Sequence, residues 1–122
     1  MNTVKGEFTV KMTPLEGSHI LKLEKQYHGP LQASGFGEML ATRSKVEGSA
    51  AYVAIETVSG TLEGKAGAFT LVHRGVMQGE DRELLVTIAP DSGTDVLQGI
   101  SGSLDISIEN GKHYYILTYE LP

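Results

Sequence analysis

The chain contains no cysteine and no tryptophan. Without thiols it has no disulfides, thiolate zinc sites, iron–sulfur clusters or cysteine nucleophiles. It lacks a run of about 18 apolar residues, the length that a membrane helix needs, so no membrane association is expected. The opening stretch, MNTVKGEFTVKM, has neither the basic patch and long apolar segment of a secretory signal nor a small-residue cleavage site, which makes the cytoplasm the expected location. Positive charge is sparse: 10 Lys and Arg stand against 15 Asp and Glu. The cations, among them Lys22, Lys25, Arg43, Lys45, Arg74 and Arg82, are scattered. No basic stripe exists to neutralise a phosphate backbone, so nucleic acid is not an expected partner. The histidines His19, His28, His73 and His113 fall on different segments with no HxH or HExxH spacing, and neither metal nor cofactor is expected.

What is present is glycine, 15 of them in 122 residues, punctuating segments that alternate at period two. With 40% hydrophobic and 20% charged residues, the chain fits one globular domain over residues 1–122. The first strand carries Phe8, Val10 and Met12 on one face. After a turn over Pro14–Ser18, the second carries Leu21, Leu23 and Tyr27 and ends at Gly29 and Pro30. Further strands are expected at 31–44, 48–58, 66–74 and 83–89. About eight strands with no helix to cover two sheet edges favour a closed antiparallel β-barrel over an open sheet or sandwich.

Two hairpins can be put in register. Asn110 and Gly111 tolerate the positive φ of a type I′ turn, which pairs Glu109 with Lys112 and Ile106 with Tyr115. The inward set there is Leu104, Ile106, Ile108, His113, Tyr115, Leu117 and Tyr119. A second turn at Glu63 and Gly64 pairs Glu56 with Leu71 and Ala54 with His73. Turning instead at Ser59 and Gly60 would oppose Glu56 to Glu63, a like-charge pair that sheets avoid. The preferred register turns Tyr52, Ala54, Glu56, Phe69, Leu71 and His73 inward.

Glu56 and His73 are then diagonal neighbours, about 7 to 8 Å apart at the backbone. A carboxylate beside an imidazole in a partly dry interior is the minimal equipment for moving a proton, so these two are the candidate catalytic residues. Tyr52, Phe69, Leu71, His113, Tyr115 and Tyr119 are the candidate ligand-binding residues, the tyrosines offering hydroxyls to a developing oxyanion. Small residues in the third and fourth strands (Ala33, Ser34, Gly35, Gly37, Ser49, Ala50, Ala51 and Ala54) point to a hollow on that side, or to corners that need glycine. Outside the same wall, Ala51, Val53, Ile55 and Val72 are more apolar than a solvated face requires. They await either a covering segment of this chain or a second copy, with a homodimer favoured. The stretch PDSGTDVLQGISG (90–102) reads as a barrel-closing loop with a one-turn helix capped by Ser92 or Thr94. It matches no phosphate-binding spacing and contains no Lys or Arg.

The segments GSAAYVAIE (48–56), GTLEGKAGAFTLVHRG (60–75), PDSGTDVLQGISG and HYYILTYEL (113–121) resemble, in order and spacing, a small bacterial family of unknown function. That family is similar in fold to allene oxide cyclase. The resemblance covers nearly the whole chain and implies an eight-stranded calycin-like barrel with an apolar cavity, self-association and no required cofactor. It implies no settled activity, and because cyclases of the broader superfamily work largely by orienting a reactive substrate, no catalytic set is carried over from them. Lys65 stands where an arginine is expected and Asp95 where a glycine is expected; neither touches the expected pocket. Lipocalins are the nearest rival barrels, and their GxW start is absent.

Three functions compete. An isomerase or cyclase would move a proton through Glu56 or His73 on a small lipophilic substrate. A binding module would hold a small apolar ligand without chemistry, and an interaction protein would use the outer apolar face alone.

Overall fold

The computed structural model describes residues 1–122. Its strands are β1 (Asn2–Pro14), β2 (Ile20–Tyr27), β3 (Leu31–Arg43), β4 (Ala50–Leu62), β5 (Lys65–Gln78), β6 (Asp81–Ile88), β7 (Ser101–Glu109) and β8 (Lys112–Glu120). They run antiparallel round a closed barrel in chain order, and β1 completes the ring by pairing with β8. A single 3-10 turn, Asp95–Leu97, is the one helical segment. No helix is long and apolar enough to cross a membrane.

Both expected registers are present, with Glu109 opposite Lys112, Ile106 opposite Tyr115, Glu56 opposite Leu71 and Ala54 opposite His73. The turns have the expected cause. Asn110 and Gly111 sit at φ 52° and 77°, Glu63 and Gly64 at 48° and 81°. β4 and β5 are longer than the sequence pattern predicts, because Ser59 and Gly60 stay in the sheet opposite Ala68 and Gly67 instead of turning.

In a meander of this kind, the turns β1–β2, β3–β4, β5–β6 and β7–β8 share one end, here called upper. The lower end is closed by the segment 89–100. β6 stops at Ile88 opposite Leu71, leaving the lower part of β5 without a strand on that side. The loop takes that place: the amides of Ala68 and Thr70 donate to the hydroxyls of Thr94 and Ser92, and the amides of Thr94 and Ala89 donate back to the carbonyls of Ala68 and Thr70. This corrects the expected helix cap, since Thr94 precedes the 3-10 turn but spends its hydroxyl on β5. Leu97 and Ile100, both buried, plug the floor. Higher up, β6 and β7 share a single registered pair, Thr87 with Ser103.

The core fills the lower half of the barrel. Phe8, Tyr27, Leu31, Val58, Leu62, Phe69, Leu71, Leu104, Tyr115, Leu117 and Tyr119 pack there with the two plugging residues. Tyr115 reaches across the space left by Gly6, where any Cβ would collide with its hydroxyl. That hydroxyl donates to the His28 carbonyl and accepts from the Leu31 amide, tying down the β2–β3 turn. On the outside, Val53 and Ile55 are 53% and 61% exposed. No part of this chain covers that face, which removes the covering-segment reading.

Candidate functional site

Period-two alternation turns Leu21, Leu23, Lys25 and Tyr27 of β2 to the inside, as it does Glu56 of β4 and His73 of β5. Between β2 and β4 lies β3, whose inward residue at this level is Gly35. A Cβ there would collide with the Glu56 carboxylate and crowd the Tyr27 ring. Gly35 therefore opens a window over which side chains from β2 and β4 meet. The hollow expected from the small residues of β3 is, at this level, occupied by them.

The meeting point is a closed polar cluster. Glu56 Oε1 accepts from Lys25 Nζ at 3.0 Å and from His73 Nε2 at 2.9 Å. Its Oε2 accepts from the Tyr27 hydroxyl at 2.6 Å. Glu56 is 0% exposed, His73 2% and Lys25 9%. Lys25 Nζ also stands 5.3 Å from the centre of the Phe8 ring, a cation–π contact at the boundary with the apolar core.

Burial alone would push the Glu56 carboxyl upward. The His73 hydrogen bond, the Lys25 charge and the Tyr27 hydroxyl outweigh it and hold the carboxyl below the ordinary glutamate value. Glu56 is thus a carboxylate, which only accepts hydrogen bonds. His73 Nε2 must carry the proton it shares, leaving a lone pair on Nδ1 when the ring is neutral. Nδ1 has no protein partner, yet no enclosed side-chain nitrogen or oxygen is left unsatisfied. Nδ1 is therefore not fully enclosed. Tyr27 is driven strongly toward its neutral form, first by burial and then by the Glu56 charge and hydrogen bond.

Above this cluster the barrel is an open cup. Inner-face side chains that would be core elsewhere are exposed here: Met12 53%, Met77 37%, Leu84 39% and Ile108 61%. A cavity of about 290 Å³ lies among Met39, Ala41, Ala50, Tyr52, Met77 and Leu84, with Arg43 and Arg82 at its mouth. The Tyr52 ring lies over Gly75, where a Cβ would collide with it, and so sits at the level just above His73. Burial raises the Tyr52 hydroxyl pKa.

The sequence-derived residues divide between these regions. Glu56 and His73 are joined, Tyr52 borders the cup, and His113 stands 5.3 Å from the Phe8 ring near the upper rim. Phe69, Leu71, Tyr115 and Tyr119 face inward as expected but belong to the packed lower half. Tyr119 donates to Glu63, and burial together with that carboxylate pushes its hydroxyl up to about 12. No group of three acidic or histidine side chains is placed to hold a metal ion. Two members of the cluster escaped the sequence reading: Lys25, counted only among the scattered cations, and the hydroxyl of Tyr27. The available signal was their place on the inward period of β2.

Comparison with known proteins agrees with this architecture. No curated protein matches the chain. A crystal structure of a protein with unknown function from the DUF3224 family of Shewanella oneidensis MR-1 is 39% identical and superposes with a TM-score of 0.96, covering 100% of this chain and 98% of that one. The family model described as "Protein of unknown function (DUF3224)" matches residues 4–119, and the chain belongs to that family.

Proposed function

We propose that the barrel binds a small, largely apolar molecule in its upper cup and that His73, oriented by Glu56, moves a proton on it. The observation that carries this reading is the set of apolar side chains left open above a buried Glu56 carboxylate hydrogen-bonded to His73. All three internal methionines, Met12, Met39 and Met77, have inward registers in this half. Flexible thioethers suit a surface that must fit a guest. The resemblance to allene oxide cyclase barrels is consistent with such a use of the interior.

The chemistry assigned to the pair is proton transfer. His73 Nδ1 takes a proton from an acidic C–H of the bound molecule, and the imidazolium so formed is stabilised by Glu56 through Nε2–H. The same Nδ1–H returns the proton to another atom of the delocalised anion, which is an isomerisation with no net loss of atoms. Tyr52 would offer its hydroxyl to the oxygen on which the negative charge gathers. Lys25 and Tyr27 are positioning groups that keep Glu56 ionised and fixed.

The probe for this reading is 2-tetralone in D2O, with exchange of its α-protons followed by proton NMR. Wild-type protein should accelerate exchange, and His73→Ala should abolish the acceleration while the ketone still binds. Exchange at the wild-type rate in His73→Ala would remove His73 as the base. Binding without any acceleration would leave a carrier.

A second reading is favoured by the outer wall, where Phe36, Val53, Ile55 and Val72 are exposed side by side on β3, β4 and β5. A second copy of the chain is the proposed occupant. Val53→Asp should convert a dimer to monomer in light scattering and leave ketone binding unchanged; a monomeric wild type would end this reading.

A further inference from the structure

The geometry points to an anionic group on the cup's ligand, held at the mouth by Arg43 and Arg82 while its apolar body occupies the cavity. This rests on the reading that the cup binds a small apolar molecule and adds the chemical class of that molecule, a compact organic acid.

The chain has three arginines. Arg74 points outward and pairs with Glu83 at 3.9 Å. Arg43 and Arg82 have no ion-pair partner among the salt bridges of the fold. Both belong to one inward row, in which Arg43 stands opposite Ala50, Ala50 opposite Met77 and Met77 opposite Arg82. Three strand spacings put their backbones roughly 14 Å apart along the wall, and its curvature shortens the direct path. Both line the same cavity. Glu83 also borders it, but its carboxylate is engaged by Arg74. A chain with net charge −5 has therefore put its two uncommitted guanidinium groups on the rim of its apolar cup.

Guanidinium is the cation suited to carboxylate, sulfonate or phosphate, because its planar donors match their oxygens in pairs. The cup sets the other half of the ligand. A volume of about 290 Å³ holds about ten atoms the size of a water oxygen, taking roughly 30 Å³ for each. A mono- or bicyclic body matches this space. An acid with its charge at the mouth would direct the opposite end of its body toward Tyr52 and Gly75, the lining residues next above His73.

Two fluorescent bicyclic probes sharing one ring system separate the possibilities: naphthalene-2-sulfonate, which is anionic, and naphthalene-2-sulfonamide, which is neutral. Both are titrated into wild type, Arg43→Gln/Arg82→Gln and Ala50→Phe, the last filling the cup. Arg43 and Arg82 are exposed, so their replacement leaves the core intact, as circular dichroism will check. Wild type should bind the sulfonate up to about fivefold more tightly than the neutral probe, the scale of an ion pair at an exposed site. The arginine variant should lose that preference with unchanged affinity for the neutral probe, and Ala50→Phe should lose both probes. Equal affinities in wild type, or a preference that survives in the arginine variant, would overturn the anion assignment and leave the cup reading standing. Failure of both probes to bind wild type, or undiminished binding by Ala50→Phe, would overturn the cup reading itself.

Discussion

The lower and upper halves of the barrel are made by the same strands and treat their inward residues in opposite ways. Level with Glu56 or below it, Leu62, Leu71, Tyr115 and Leu117 are 0% exposed and belong to one packed core. Above it, inward residues of the same sheet such as Met77 and Ile108 remain open to solvent. The difference lies in what closes each end. The lower end receives a 12-residue crossing, Ala89–Ile100, that supplies Leu97 and Ile100 as a plug and pairs with β5. The upper end has only hairpin turns, which add no side chain to the middle. Apolar alternation therefore creates an inward face in both halves, but only a capping segment turns that face into core.

The boundary between the halves should be the most sensitive point. Glu56→Gln leaves Lys25 buried without its counter-ion, and removing one partner of a buried pair costs about 3–5 kcal/mol. Adding Lys25→Met should recover part of the loss, read as the urea midpoint of the double variant against the single one. If Glu56→Gln unfolds at the wild-type midpoint, the cluster is not a structural divide. Next in size is the contrast within β5. Leu71→Ala should cost about 2–5 kcal/mol by opening a cavity in the packed half, whereas Met77→Ala in the cup should cost under about 1 kcal/mol. Equal costs in urea denaturation would mean that the cup is closed in solution.

The smallest expected effect is the response to acid. The folded Glu56 carboxyl lies below its ordinary value of 4.5, so its contribution is complete above that pH and is lost as pH falls through the folded value. Wild type should lose this part of its stability below about pH 4.5, and the corresponding slope should be missing from Glu56→Gln. A pH series of denaturation curves for the two proteins supplies the comparison. Superimposable slopes would show that other carboxylates set acid sensitivity.

The inward face was legible before the structure, but its division into a packed and an open half was not. Turn chemistry at Asn110–Gly111 and Glu63–Gly64 fixed two registers, and from them came the inward positions of Glu56 and His73. What could not be read was contact between strands that are not neighbours. Lys25 and Tyr27 reach Glu56 only because β2 and β4 meet across Gly35, a relation set by barrel curvature and strand stagger rather than by one hairpin. A lysine on an otherwise apolar period was the visible clue. The same limit explains Phe69, Leu71, Tyr115 and Tyr119: alternation turns them inward, but their height relative to the plug decides that they pack. The outer apolar face was legible in composition, and its lack of a cover within the chain needed the fold.

The pairing of β1 with β8 has a consequence for how the protein is made. Every other neighbouring pair of strands is adjacent in sequence, but Asn2 must find Tyr119 and Phe8 must find His113. During synthesis the first seven strands can form only a curled, open sheet whose two edges wait for the same late segment, and contacts of such long sequence separation slow folding. Because the ends of the ladder lie side by side, joining them with a short linker and cutting the chain at the β5–β6 turn would keep each strand beside the same neighbours. It would also bring the present first and last strands together as an ordinary hairpin, formed early instead of last.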